Sequence, residues 1–96
     1  MMLEFEWDEA KRRMNIEKHK IDFADAIAIF DDYVCTLPSV NRDYGEERYL
    51  AIGLLRGLEI VVVYTPRGNR RRIISARRAR IKERGKYHEE RNRAKN

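Results

Sequence analysis

Ninety-six residues, 43% of them hydrophobic and 39% charged, describe one domain over residues 1–96 with a modest core and an ionic exterior. Strictly apolar runs are no longer than five residues, as in Ile60-Val61-Val62-Val63-Tyr64, which excludes a transmembrane helix of about 20 such residues. Met1 leads into Leu3-Glu4-Phe5-Glu6-Trp7 and not into a basic leader with a long apolar core, so a cytoplasmic protein is expected. Cys35 is the lone cysteine, and with only His19 and His88 beside it no zinc spacing can be assembled; neither metal nor cofactor is expected.

Phe5 and Trp7 alternate with Glu4 and Glu6, the period of a short half-buried strand, and Asp8 supplies an N-cap for a helix over 9–18. That helix has few apolar positions, Ala10 and Met14, and so is expected to lie across a surface. Asp22 can cap a second helix, in which Phe23, Ala26, Ile27 and Phe30 fall at i, i+3, i+4 and i+7 and predict a core stripe. Residues 34–37 read as a strand stopped by Pro38, with Cys35 packed in it, and 41–46 read as a polar loop. Strands are predicted over 48–55, 58–65 and 70–76, joined by Arg56-Gly57 and by Pro66-Arg67-Gly68-Asn69 into an antiparallel meander. The second of these shows almost no alternation, so it should be central and covered on both faces. From Arg77 onward helix formers dominate, with few apolar anchors: Ala79, Ile81 and Tyr87. The whole reads as an α+β fold.

The net charge of +5 is unevenly spread. Residues 1–48 hold 7 Lys/Arg against 12 Asp/Glu, and residues 49–96 hold 14 against 4, with 13 of those bases after Pro66. Most are arginines, whose planar fork meets phosphate bidentately. A solvated basic face and a phosphate-binding face are both open readings. In the last helix Arg80, Arg84, Tyr87 and Arg91 fall on one face, and Tyr87 can either meet nucleic acid or anchor the helix to the sheet. Along the preceding strand Arg70 and Arg72 share one face and Arg71 and Ile73 the other, so one arginine must approach the hydrophobic layer; Arg72 is a candidate for an ordered site. His19 has the side chain best suited to general acid/base work, but can equally be a cap stabilised by the helix dipole. Glu46, Glu47 and Arg48 stand where a loop enters the sheet, as functional groups or as a surface ion pair.

Glu4-Phe5-Glu6-Trp7-Asp8-Glu9-Ala10-Lys11, then Asn15, Lys18-His19, Asp22-Phe23 and Phe30-Asp31-Asp32, resemble the opening of the BrnT family of toxins from bacterial type II toxin-antitoxin pairs. Glu47-Arg48-Tyr49, Ile52-Gly53, Val61-Val62-Val63-Tyr64-Thr65, Arg72-Ile73-Ile74-Ser75-Ala76-Arg77-Arg78-Ala79, Glu83-Arg84 and Tyr87 are similar to the rest of its signature. The resemblance implies a ribonuclease toxin with a RelE/ParE-like fold: a short N-terminal strand and two helices, a twisted antiparallel sheet and a C-terminal helix. It further implies growth arrest, and neutralisation by a BrnA-like antitoxin whose DNA-binding part is a ribbon-helix-helix dimer, so that DNA is met only through the antitoxin. Lys20 departs from the pattern, because the family usually has glycine after Lys-His.

Metal-free RNA cleavage needs the 2′-hydroxyl deprotonated, the charge on phosphorus stabilised and the 5′-oxygen protonated. The expected catalytic set is therefore Arg48, Arg72 and Arg77 clamping the scissile phosphate, His19 or Glu47 as base, and Tyr87 orienting the phosphate or assisting the leaving group. Arg70, Arg78, Arg80, Arg84 and Arg91 are expected to bind RNA. Two rivals are a non-catalytic nucleic-acid-binding module, for which the basic C-terminal third would suffice, and a ParE-like gyrase poison on the same fold.

Overall fold

The computed structural model describes residues 3–39 and 45–95. Along the chain run β1 (Glu4–Trp7), α1 (Glu9–His19), α2 (Phe23–Ala26), a 3-10 helix (Ile27–Asp31), β2 (Cys35–Pro38), β3 (Tyr49–Leu55), β4 (Leu58–Arg67), β5 (Arg70–Arg78) and α3 (Ile81–Lys95). Positions 41–44 of the predicted polar loop lie outside the described residues. Among the described residues no helix is long and apolar enough to cross a membrane.

The five strands form one sheet in the order β1-β5-β4-β3-β2. The predicted meander accounts for β3, β4 and β5, with β2 adding antiparallel to β3. The sheet is nonetheless mixed, because β1 pairs parallel to β5, Glu4 opposite Arg70 and Glu6 opposite Arg72. Arg56 and Gly57 both take positive φ, 51° and 81°, the type I′ geometry that matches the twist of a two-residue hairpin. As its continuous apolar run predicts, β4 is buried on both faces: Ile60, Val61 and Val62 are at most 1% exposed.

On one face, Ile60, Val62, Tyr64, Ile73 and Ala76 meet Phe23, Ala26 and Ile29; on the other, Cys35, Ile52 and Val61 meet Tyr87 of α3. The second helix departs from its predicted stripe. It tightens into 3-10 geometry after Ala26, and at three residues per turn Phe23, Ala26 and Ile29 align and are buried, leaving Ile27 and Phe30 half-buried. Ile29 lies so close to β3 that a Cβ on Gly53 would sit 2.8 Å from its Cβ.

Two further corrections bear on the site. First, β5 runs to Arg78, so Arg77 and Arg78 are strand residues and Arg80 precedes α3; the expected helix from Arg77 starts four residues later. Second, Ile74 is unpaired between the Ser75–Val63 and Ile73–Tyr64 pairs, a β-bulge that lets Ile73 and Ala76 enter the same core.

Candidate active site

β1 ends opposite Ile73, leaving the outer edge of β5 from the bulge onward without a strand. Asn15 takes its place. The buried carboxamide accepts from the Ala76 N–H at 3.1 Å and donates to the Ala76 and Ile21 carbonyls, each at 2.9 Å, so α1 is sewn to the strand edge by groups that a helix surface rarely offers. Asp8 caps α1 at its start, accepting from the Lys11 N–H. At its end Lys20 adopts the left-handed conformation, φ 63°, with its N–H on the Ile16 carbonyl. The helix thus terminates as a glycine would end it, at the cost of holding a side chain in a region that L-residues disfavour.

Between α1 and β5 lies a cavity of about 560 Å³, lined among others by Lys11, Met14, Lys18, His19 and Ser75. His19 is half-buried, and burial first, then the charges of Lys18 and Arg77, holds its pKa below the ordinary 6.5. Its imidazole is therefore neutral at pH 7, able to accept a proton. Arg77 is fixed by Glu83 through two 2.8 Å bonds, Nη1 to Oε1 and Nη2 to Oε2, with the two side chains 18% and 16% exposed. Glu83 Oε1 also accepts the Arg80 N–H at 2.7 Å, so one carboxylate orients the arginine and starts α3. Its bonds to Arg77, opposed by burial, hold the Glu83 pKa below the usual carboxylate value. The end of the guanidinium is occupied, whereas the side edge, Nε–H with the second Nη2–H, meets no acceptor among the described residues.

The other expected residues are dispersed. Arg72 forms a 2.8 Å ion pair with Glu6, and Arg70 a 3.3 Å pair with Glu4. Of Arg70, Arg71 and Arg72, the one that reaches the hydrophobic layer is Arg71, whose guanidinium lies 4.9 and 4.8 Å from the ring centroids of Phe30 and Tyr64. Glu47 accepts from the Tyr49 hydroxyl at 3.1 Å, and Arg48, with its side chain 14% exposed, is 3.8 Å from Glu46. These two line a second cavity, of about 460 Å³, at the start of β3. Tyr87 is 1% exposed and packs on Tyr33, and its hydroxyl accepts from Arg91 at 3.0 Å; of its two readings, the structure places it as the anchor of α3. Arg78, Arg80 and Arg84 are exposed, and among the described residues none has a carboxylate within ion-pair distance. Among the described residues, too, no three His, Cys, Asp or Glu gather where they could hold a metal ion.

Asn15 and Glu83 were not singled out as functional from sequence. A signal existed in each case: an asparagine in mid-helix has poor propensity and demands a partner, and a glutamate three residues after a helix start is the reciprocal half of a cap.

Residues 7–83 match the family described as "ribonuclease toxin, BrnT, of type II toxin-antitoxin system". The chain belongs to the BrnT family. The matched span includes Asn15, His19, Arg77 and Glu83 and stops before Tyr87 and Arg91. The 1.1 Å crystal structure of the Brucella abortus ribonuclease toxin BrnT is similar at 35% identity and a TM-score of 0.65, covering 83% of this chain and 99% of that one. No curated protein matches. Membership of the BrnT family makes this chain a ribonuclease toxin of a type II system, with a cognate antitoxin as its partner.

Proposed function

We propose that this toxin cleaves RNA without a metal ion at the mouth of the cavity between α1 and β5. His19 takes the proton of the 2′-hydroxyl; the freed oxygen attacks the adjacent phosphorus, and the bond to the 5′-oxygen breaks, leaving a 2′,3′-cyclic phosphate. Arg77 meets the equatorial phosphate oxygens through its side edge, pre-oriented by Glu83, so stabilisation of the developing charge requires no rearrangement. Lys18, beside His19 at the rim, protonates the departing oxygen. Arg72 stands five residues from Arg77 along β5, about 16 Å at about 3.3 Å per residue, and is paired with Glu6, so this reading takes it, and Arg48 at the start of β3, out of contact with the scissile phosphate. Glu47 and Tyr87 are left out of the chemistry.

The observation that carries this reading is a half-buried imidazole on the wall of the cavity, its pKa held down by burial and by the charges of Lys18 and Arg77, together with an arginine whose end, but not its side edge, is already held by Glu83. The test is RNA incubated with the chain in EDTA. Cyclic-phosphate ends are expected, with losses of about 100-fold or more in His19→Gln and in Arg77→Lys, whose ammonium lacks the fork. Products bearing only 3′-hydroxyl ends would overturn it, and salt-sensitive binding without cleavage would favour a binding module. Growth arrest on expression follows from the same activity. Neutralisation is assigned to a ribbon-helix-helix antitoxin whose acidic segment covers the exposed arginines around the start of α3 and excludes RNA.

A further inference from the structure

The cavity beside His19 is larger than a phosphate requires. At about 560 Å³ it lies within the roughly 300–1,000 Å³ of ligand clefts, and its lining is chemically divided. Met14 is 67% exposed on a helix that otherwise presents polar groups outward, and with half-buried Ile74 of the bulge it gives the cavity apolar wall. A thioether against the edge or face of a flat ring is a favourable contact, and an unbranched, exposed methionine can adapt its shape to the ring. Lys11 and Lys18, at i and i+7 on α1, supply cations at the rim. Among these cations stands one carboxylate, Glu17, which has no cation of the described residues within ion-pair distance. An anion in a site that otherwise attracts anions weakens phosphate binding, so its presence is informative about what else enters.

We propose that this cavity is a nucleobase subsite selective for guanine, in which Met14 and Ile74 meet the ring and the Glu17 carboxylate accepts from the guanine N1–H and N2–H₂ donors. Guanine alone among the four RNA bases presents two adjacent N–H donors on its Watson–Crick edge, which matches the two oxygens of a carboxylate. Adenine and cytosine would each leave one oxygen facing a ring-nitrogen acceptor, and uracil would oppose a carbonyl to it. A site built to accept two hydrogen bonds rejects a base that cannot supply them. The subsite rests on the cleavage reading above in one respect: the nucleotide whose 2′-hydroxyl meets His19 is the one whose base enters, so the preferred cut lies after guanosine.

The test therefore uses binding as well as cleavage. The intact chain is titrated with 3′-GMP, 3′-IMP, 3′-AMP, 3′-CMP and 3′-UMP. We expect 3′-GMP to bind about tenfold more tightly than 3′-AMP, with 3′-IMP, which lacks the N2 amino group, falling in between. Glu17→Gln, at an exposed position and checked by its thermal melt, should erase the preference, because an amide offers one acceptor and one donor. Met14→Ala should weaken all five nucleotides alike. Equal affinity for the nucleotides, or an unchanged preference in Glu17→Gln, overturns the proposal. RNA cleavage without selective binding leaves the ribonuclease reading intact and removes the subsite; selective 3′-GMP binding without cleavage does the reverse.

Discussion

At the scale of single residues, Asn15 and His19 show how one helix with little hydrophobic content becomes part of a site. Asn15 satisfies three buried main-chain groups, and no apolar side chain can replace it. Asn15→Ala should therefore cost about 2–4 kcal/mol, read as a lower urea midpoint at unchanged slope, since it orphans an N–H and two carbonyls at once. A loss below about 1 kcal/mol would mean that water replaces the amide readily. His19 makes a different prediction. With its pKa held below the ordinary 6.5, the base form survives further into acid than in an ordinary histidine, so the acid limb of kcat/KM should have its midpoint below pH 6.5. Lys18→Gln also removes the proposed acid and so lowers the rate, but the acid limb of its residual activity should move upward, because a charge that disfavours the imidazolium is gone. A limb in the parent protein at or above pH 6.5 would take His19 out of the base role.

At the scale of elements, the parts carried by hydrophobic period were legible and the parts carried by contacts between elements were not. Continuous apolar residues identified β4 as the centre of the sheet, and Arg56-Gly57 identified its hairpin. The parallel pairing of β1 with β5 was hidden, because alternation in a four-residue strand says nothing about which neighbour it joins. The bulge at Ile74 was hidden for a related reason: it rephases β5, so counting faces from Arg70 gives the wrong side beyond it. His19 and Arg77 were both named from sequence, yet their proximity depends on α1 docking through Asn15 and on β5 extending past Ala76. Reading a helix from Arg77 concealed both that strand and the Glu83 partner. The close contact of β3 with the 3-10 helix can be tested at Gly53. A Cβ there meets the Cβ of Ile29, an atom fixed to backbone, so Gly53→Ala should destabilise by about 1–3 kcal/mol through overpacking, despite alanine's better strand entropy. Ile29→Gly, which removes that Cβ, should recover part of the overpacking cost when combined with Gly53→Ala, and a purely additive double variant would show that the contact is not the cause.

At the scale of the whole molecule, the charge asymmetry between the halves of the sequence is partly cancelled by the fold. β1 comes from the acidic half and β5 from the basic half, and their register sets Glu4 against Arg70 and Glu6 against Arg72. Arg93 is similarly held by Glu89 and Glu90, and Arg67 by Glu46. The cations left without such pairs among the described residues include Arg78, Arg80 and Arg84 around the start of α3, with Lys11 and Lys18 on α1. RNA should therefore follow the end of β5 and the rim of the cavity, not the most arginine-rich stretch of the sequence. The measurement is the salt dependence of binding to a single-stranded RNA with 2′-O-methyl groups, which cannot be cleaved by attack of the 2′-oxygen. Each phosphate neutralised contributes a slope of about 0.7 in log affinity against log salt. Arg78→Gln and Lys18→Gln should each lower the slope by about that amount, while Arg70→Gln, which also frees Glu4 to repel the strand, should leave the slope nearly unchanged and weaken binding only at low salt. If Arg70→Gln lowers the slope as much as the other two, the ion pairs on β1 open to admit RNA, and the path lies along the whole of β5.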